Sequence, residues 1–169
     1  MARGAARERV VSALRAEAQQ RGPNVPPLPE AFKHFRSDLG HRLYGEEGYG
    51  IKREEKEKHK QAVLRNYEFF GAPVVGVITM HHDLTPVDAM SVGMFIQTLM
   101  LALTEQGLGT CLQVSVTGYP EILRREFKLP EDQLILCGIA IGHPAEHNKV
   151  NDLVMTREDV DRQMTLHVD

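Results

Sequence analysis

Two short apolar runs, residues 74–80 and 134–141, constrain the fold of this 169-residue chain more than any other feature. Both are rich in β-branched residues, and both are bounded by proline, histidine or glycine turns. Runs of this length and composition favour strands that are covered on both faces. The chain must therefore supply other elements to pack against them.

Four segments carry apolar residues at helical spacing and are predicted to be helices. They are residues 7–21, 31–44, 91–106 and 120–127. The third segment contains the most apolar part of the chain, residues 89–103, which at 15 residues is too short to cross a bilayer core of about 30 Å. We therefore predict a buried helix there and no membrane contact. Helices that alternate with a few buried strands indicate a mixed α and β class.

The domain organisation follows from length and from one proline-rich segment. At roughly 150 residues per domain, the chain corresponds to a single domain over residues 1–169. Residues 1–6 are expected to be disordered, and residues 22–30 form a Pro-rich extended arm. Only about twenty residues precede this arm, too few for a separate domain.

Charge and cysteine content exclude several classes of protein. The 20 basic and 23 acidic residues give a net charge of −3, so the chain lacks the basic footprint of a nucleic-acid-binding protein. The cysteines, Cys111 and Cys137, lie in apolar runs and form no C-x-x-C pair, which is typical of reduced thiols. The N-terminus is charged and leads into no apolar signal region. We expect a cytoplasmic protein.

Neither metal nor nucleophilic catalysis is predicted. The eight histidines include no H-E-x-x-H motif, and neither His81-His82-Asp83 nor the pair His143 and His147 has a cysteine or further acidic ligand at useful spacing. No G-x-S-x-G motif is present either. The glycines at 45, 48 and 50 follow no strand and are interpreted as a flexible turn rather than a phosphate loop.

An ordered series of short motifs runs along nearly the whole chain from about residue 7. It includes residues 65–73 (Arg-Asn-Tyr-Glu-Phe-Phe-Gly-Ala-Pro), 93–97 (Gly-Met-Phe-Ile-Gln) and 107–113 (Gly-Leu-Gly-Thr-Cys-Leu-Gln), followed by Arg157. In order and spacing, this series resembles the FMN-dependent nitroreductase family. It is most similar to the nitrobenzoate-reductase-like subgroup.

The resemblance implies an α+β fold with a nitroreductase-like mixed sheet flanked by helices. It also implies an intertwined homodimer with FMN bound at two sites shared between the subunits. The expected activity is hydride transfer from NAD(P)H, either NADH or NADPH, through the flavin to a nitroaromatic, quinone or similar acceptor. No catalytic side chain is implied, because the flavin carries the chemistry.

The resemblance also implies four cofactor-binding residues. Backbone N–H groups in the segment Gln113, Val114 and Ser115 are expected to face the N5 edge of the flavin. Arg157 is expected to bind the FMN phosphate, for which a guanidinium has suitable geometry. Alternatively, Arg157 is an ordinary exposed arginine at the capped start of a C-terminal helix.

Family members begin with an upstream segment that supplies an arginine-rich phosphate-binding motif. We expect this chain to lack that segment, through N-terminal truncation or because it is naturally short. Each lost charged hydrogen bond would weaken FMN binding by about 1.5–3 kcal/mol. The alternative hypothesis is therefore a degenerate nitroreductase-fold dimer without tight flavin, which acts as a binding or interaction module.

Overall fold

The computed structural model describes residues 1–167. Its helices and strands, in chain order, are β1 (Ala2–Arg3), α1 (Ala5–Gln20), α2 (Lys33–Tyr44), α3 (Lys56–Leu64), β2 (Val74–His81), α4 (Pro86–Glu105), β3 (Gly109–Gln113), α5 (Pro120–Phe127), β4 (Gln133–Gly142) and α6 (Val160–Gln163). Short 3-10 helices cover Glu30–Phe32, Arg65–Gly71, Ser115–Gly118 and Lys149–Asp152.

The chain divides into two compact units. The first combines Met1–Pro27 with Glu55–Glu146, and the second combines Leu28–Glu54 with the C-terminal segment from His147. The assignment of residues 1–169 to one domain stays a prediction, and its last two residues lie outside the described part of the chain.

A four-stranded sheet of order β1-β2-β4-β3 forms the centre of the first unit. The two apolar runs become its inner strands, with Val74 of β2 opposite Ile141 of β4. The α+β class is confirmed, but the expectation of a mixed sheet is wrong, because all three strand pairs are antiparallel. After β3 the chain passes through α5 and reverses direction. β4 therefore lies between β2 and β3 and runs antiparallel to both.

The expectation that residues 1–6 are disordered also differs from the structure. Ala2 and Arg3 pair with Val75 and Val74 and so give the outer edge of β2 a hydrogen-bonding neighbour. Helix α1 begins two residues later, at Ala5. Edge pairing of this kind satisfies backbone groups that would otherwise be left open.

The hydrophobic core lies between α1, α5 and one face of the sheet. Its buried members are Val10, Leu14, Leu64, Tyr67, Phe69, Val75, Val116, Tyr119, Ile122, Leu123 and Ala140. Gly138 in β4 permits this packing, because a Cβ atom there would lie 2.5 Å from Cγ2 of Val116. The buried Tyr119 hydroxyl donates a hydrogen bond to the carbonyl oxygen of Arg21, 2.8 Å away, and so ties the end of α1 to α5.

Helix α4 begins at Pro86, five residues before its predicted start. The Asp88 carboxylate accepts hydrogen bonds from the Thr85 N–H (2.9 Å) and the Thr85 hydroxyl (2.8 Å), which fixes the N-terminal turn. The prediction of a buried helix is wrong for the single chain, because Ile96 is its one buried residue. At 20 residues and a mean hydropathy of 1.5, α4 is long and apolar enough to span a membrane by length and composition alone, with 6% of that stretch buried.

The second unit is built around α2 and the turn that follows it. The Tyr49 N–H donates to the Leu43 carbonyl at 2.8 Å, and the Gly50 N–H donates to the Gly45 carbonyl at 2.7 Å. The glycine-rich segment therefore forms a turn, as predicted, and backbone hydrogen bonds hold it. The ring of Tyr49 stacks on that of Tyr44 with centroids 6.1 Å apart. This turn closes α2.

Candidate functional site

The end of β3 positions the first three predicted site residues. Gln113 is the last residue of β3 and pairs with Gly138 of β4. Its side chain is 3% exposed, and its Nε2 donates a hydrogen bond to the carbonyl oxygen of Asn66 at 2.7 Å. The residue after it, Val114, is 62% exposed. The chain thus passes from the core to the surface within one residue.

The side-chain carbonyl of Gln113 is an unusual feature of this site. Its Oε1 is buried and has no hydrogen-bond partner among the residues that the structure describes. A buried acceptor without a donor costs about 1–3 kcal/mol, and such groups are rare in folded proteins. A bound molecule with an N–H or O–H group at this point would remove that cost.

Asn66 connects Gln113 with Ser115. The Ser115 hydroxyl donates to Asn66 Oδ1 at 3.4 Å, while Asn66 Nδ2 donates to the Val63 carbonyl at 3.0 Å. The structure therefore brings Gln113 and Ser115 together around a residue that sequence reasoning did not assign to the site. The signal was available in the motif at residues 65–73, where Asn66 stands directly before an aromatic-rich stretch, residues 67–70.

The turn after β3 is held by Thr117. Its N–H and its hydroxyl both donate to the Val114 carbonyl oxygen, at 3.0 and 2.8 Å. These two bonds direct the Val114 carbonyl into the 3-10 helix Ser115–Gly118 and fix the path of the backbone at the predicted flavin edge. The segment is thus preorganised by its own hydrogen bonds, which suits a site built on main-chain atoms.

Cys111, in the same strand, has the character of a packed hydrophobic residue. Burial raises the pKa of its thiol above the ordinary value of 9.0, so the neutral form dominates near pH 7. Cys137, in the adjacent strand, is shifted in the same direction for the same reason. Neither cysteine has the properties of a nucleophile.

Arg157 lies in the second unit, in the extended segment before α6. Its guanidinium donates to the carbonyl oxygens of Met155 and Thr156, at 3.1 and 3.3 Å, and is exposed. Within residues 1–167 it forms no ion pair, so its charge is available to a bound anion. Arg42 of the same unit donates to the Val154 carbonyl at 3.0 Å and pairs with Glu47, which anchors the segment that leads to Arg157.

One side of α4 presents a long apolar surface, which we call the α4 apolar face. Its members are all more than half exposed: Val87, Met90, Met94, Phe95 and Leu101. An open, mainly apolar groove of about 430 Å³ runs between this helix and β2. Apolar surface of this extent on a folded chain indicates an interaction site.

Comparison with known proteins supports one family. The sequence profile of the nitroreductase family matches residues 9–143. The 4-nitrobenzoate reductase of Nocardioides sp. is 31% identical over 143 residues, which cover 85% of this chain and 58% of that protein. The nitrobenzene nitroreductase of Ectopseudomonas oleovorans is 31% identical over 174 residues, which cover 96% of this chain and 74% of the relative.

Solved structures agree with these sequence matches. The FMN and NADPH-dependent nitroreductase NfnB from Sphigopyxis sp. strain HMH superposes with a TM-score of 0.90 at 28% identity, covering 99% of this chain and 78% of that one. The FMN-dependent NfnB from Mycobacterium smegmatis, solved with NADPH, gives a TM-score of 0.86 at 28% identity and covers 99% of this chain and 77% of that one. This chain therefore spans between about three fifths and four fifths of the lengths of these four proteins.

Proposed function

This chain belongs to the nitroreductase family, and from that premise we propose that it is a flavin oxidoreductase that transfers hydride from NAD(P)H through FMN to a nitroaromatic, quinone or similar acceptor. The observation that carries the proposal is the likeness, at a TM-score of 0.90 over 99% of the chain, to an FMN and NADPH-dependent nitroreductase. The named relatives that reduce 4-nitrobenzoate and nitrobenzene support a nitroaromatic acceptor.

The end of β3 fits a flavin. When bound, FMN would supply the two-electron chemistry that links a nicotinamide to the acceptor. The Gln113–Ser115 segment would bind the ring edge through backbone N–H groups. The buried Oε1 of Gln113, which has no partner within the described chain, would accept a hydrogen bond from a ring N–H group. Asn66 would position both side chains, since it contacts Gln113 and Ser115.

Arg157 is the proposed phosphate ligand. Its guanidinium is exposed and held only by neighbouring carbonyl groups, so it can form a charged, bidentate contact with a phosphate. No side chain is assigned a proton-transfer role. The role of the protein is to bind and orient the cofactor. The backbone after β3 is already ordered, so its N–H groups need not rearrange when the ring binds.

The partner that best fits the α4 apolar face is a second copy of this chain. A homodimer would cover the exposed residues of α4 and would explain why so apolar a helix buries only Ile96 within its own chain. Both cysteines are free thiols, which supports a cytoplasmic location.

Flavin titration of the purified chain tests the proposal. We expect added FMN to lose fluorescence on binding and the complex to oxidise NADH or NADPH when 4-nitrobenzoate is present. Arg157→Gln should weaken FMN binding about 10- to 150-fold, from the 1.5–3 kcal/mol of a charged hydrogen bond. Arg125→Gln, which removes an exposed arginine of α5 paired with Glu126, should leave FMN binding unchanged.

Two results would contradict the proposal. A folded, colourless protein that ignores added FMN would support the alternative, a nitroreductase-fold dimer that acts as a binding module. Equal losses of FMN affinity in the Arg157 and Arg125 variants would show that the phosphate contact is general electrostatic attraction rather than a specific ligand.

A further inference from the structure

A compact group of histidine and aspartate side chains lies where β2 ends and β4 begins, apart from the residues assigned to the flavin. β2 ends at His81, which pairs with Gln133 of β4. The His82 N–H then donates to the Asp132 carbonyl oxygen at 2.8 Å. These backbone bonds hold His81, His82 and Asp83 beside Asp132, which is far away in sequence.

Three side chains of this group place possible metal ligands close together. One ligand atom from each of His81, His82 and Asp83 lies within 4.8 Å of the other two. His82 Nδ1 is 3.0 Å from Asp83 Oδ1, and His81 Nδ1 is 3.7 Å from Asp83 Oδ2. In a tetrahedral site with bonds of about 2.0–2.2 Å, ligand atoms lie roughly 3.3–3.6 Å apart. The two distances involve different oxygens of Asp83, so the side chains must rotate to bring one atom of each to a single ion.

Asp132 gives His81 the environment of a metal ligand. Its Oδ2 lies 3.5 Å from His81 Nε2, on the side of the ring away from Asp83. The Asp83 N–H donates to His81 Nδ1 at 3.2 Å, so this nitrogen carries the ring's lone pair. A bound ion would replace that hydrogen bond. A histidine that directs one N–H to a carboxylate and its other nitrogen to an ion is the usual arrangement at metal centres.

We propose that His81, His82 and Asp83 form a binding site for a divalent transition-metal ion such as Zn²⁺, with Asp132 as a positioning residue. Two imidazoles and one carboxylate favour Zn²⁺, Cu²⁺ or Ni²⁺ over Mg²⁺ or Ca²⁺, which prefer all-oxygen sites. All three ligands are solvent-accessible, so water completes the coordination and the ion exchanges with the medium. This proposal departs from the expectation of no metal site. Asp132 is distant from His81 in sequence and approaches it only in the folded chain.

Zn²⁺ titration of the untagged full chain by calorimetry tests this site. We expect saturable binding of one Zn²⁺ per chain and a rise in melting temperature with Zn²⁺ concentration. His82→Ala should abolish both effects. Asp132→Asn should weaken binding about 10- to 100-fold, the usual effect of losing the carboxylate behind a ligating histidine. His143→Ala removes another exposed histidine of the same unit and should bind Zn²⁺ like the wild type.

The variants also separate the site from nonspecific binding. Circular dichroism checks that each variant is folded, which is expected because His82 is exposed. The proposal fails if the wild type shows no saturable binding, or if the His81→Ala/His82→Ala double variant still binds one Zn²⁺. It also fails if Zn²⁺ binding is lost in the His143 variant instead. None of these outcomes depends on FMN.

Discussion

Replacing Met94 with alanine tests whether the α4 apolar face is covered by a second copy of the chain. Met94 lies near the middle of α4 and is 69% exposed. Alanine is the best helix former, so the change should leave the helix intact. The variant therefore removes apolar surface and little else.

The size of the effect follows from that exposure. Full burial of a methionine side chain contributes about 1.5–3 kcal/mol, so covering the 69% that is exposed contributes about 1–2 kcal/mol. In a twofold dimer each substitution occurs twice across the interface, which gives about 2–4 kcal/mol. The dimer dissociation constant should rise about 30- to 1,000-fold.

Sedimentation across a dilution series measures this constant directly. Ile96→Val is the matched control, because Ile96 lies on the same helix but is 8% exposed and packs within its own chain. We expect Ile96→Val to lower the free energy of unfolding by about 0.5–1.5 kcal/mol while leaving dissociation unchanged. A wild-type chain that remains monomeric at every concentration, or a Met94 variant that dissociates like the wild type, would refute the reasoning.

Three further substitutions test the fold. Tyr119→Phe should lower the free energy of unfolding in urea by about 0.5–1.5 kcal/mol, because it removes the hydrogen bond to the Arg21 carbonyl. Gly138→Ala should cost about 1–3 kcal/mol in the same assay, since the new Cβ would press on Val116. Hydrogen bonds from Thr85 lower the pKa of the Asp88 carboxyl below 3.8. The ionised carboxylate therefore stabilises the fold, and this stabilisation should be lost as pH falls through the lowered pKa. Asp88→Asn should remove this acid-dependent loss of stability in thermal melts.

Local patterns in the sequence predicted the elements that depend on local chemistry. The short helix at Pro120–Phe127 matches its prediction at both ends, because proline at the first position and an apolar stripe define it. The two inner strands were predicted to within one residue at each end. By contrast, β3 was missed, since its five residues follow a glycine break and become a strand only through pairing with β4.

The remaining features depend on contacts between distant residues. Composition showed that α4 is apolar, but it did not show whether its own chain or another would cover it. The burial of Gln113 and its contact with Asn66 arise from the meeting of β3 with the 3-10 helix at Arg65–Gly71. Likewise, Asp132 reaches His81 only through the register of β2 with β4. Such placements follow from sheet topology, which a local pattern does not contain.

The strand order has a consequence for how the protein is made. The inner strands β2 and β4 are separated along the chain by α4, β3 and α5, so no local hairpin can start the sheet. Closing so long a loop is entropically costly and slows folding. During synthesis α4 leaves the ribosome before β4 exists. The α4 apolar face, which its own chain does not cover, is then exposed at the same time as β2 lacks its inner neighbour. The nascent chain should therefore depend on chaperones most during the interval in which residues between β2 and β4 are being added.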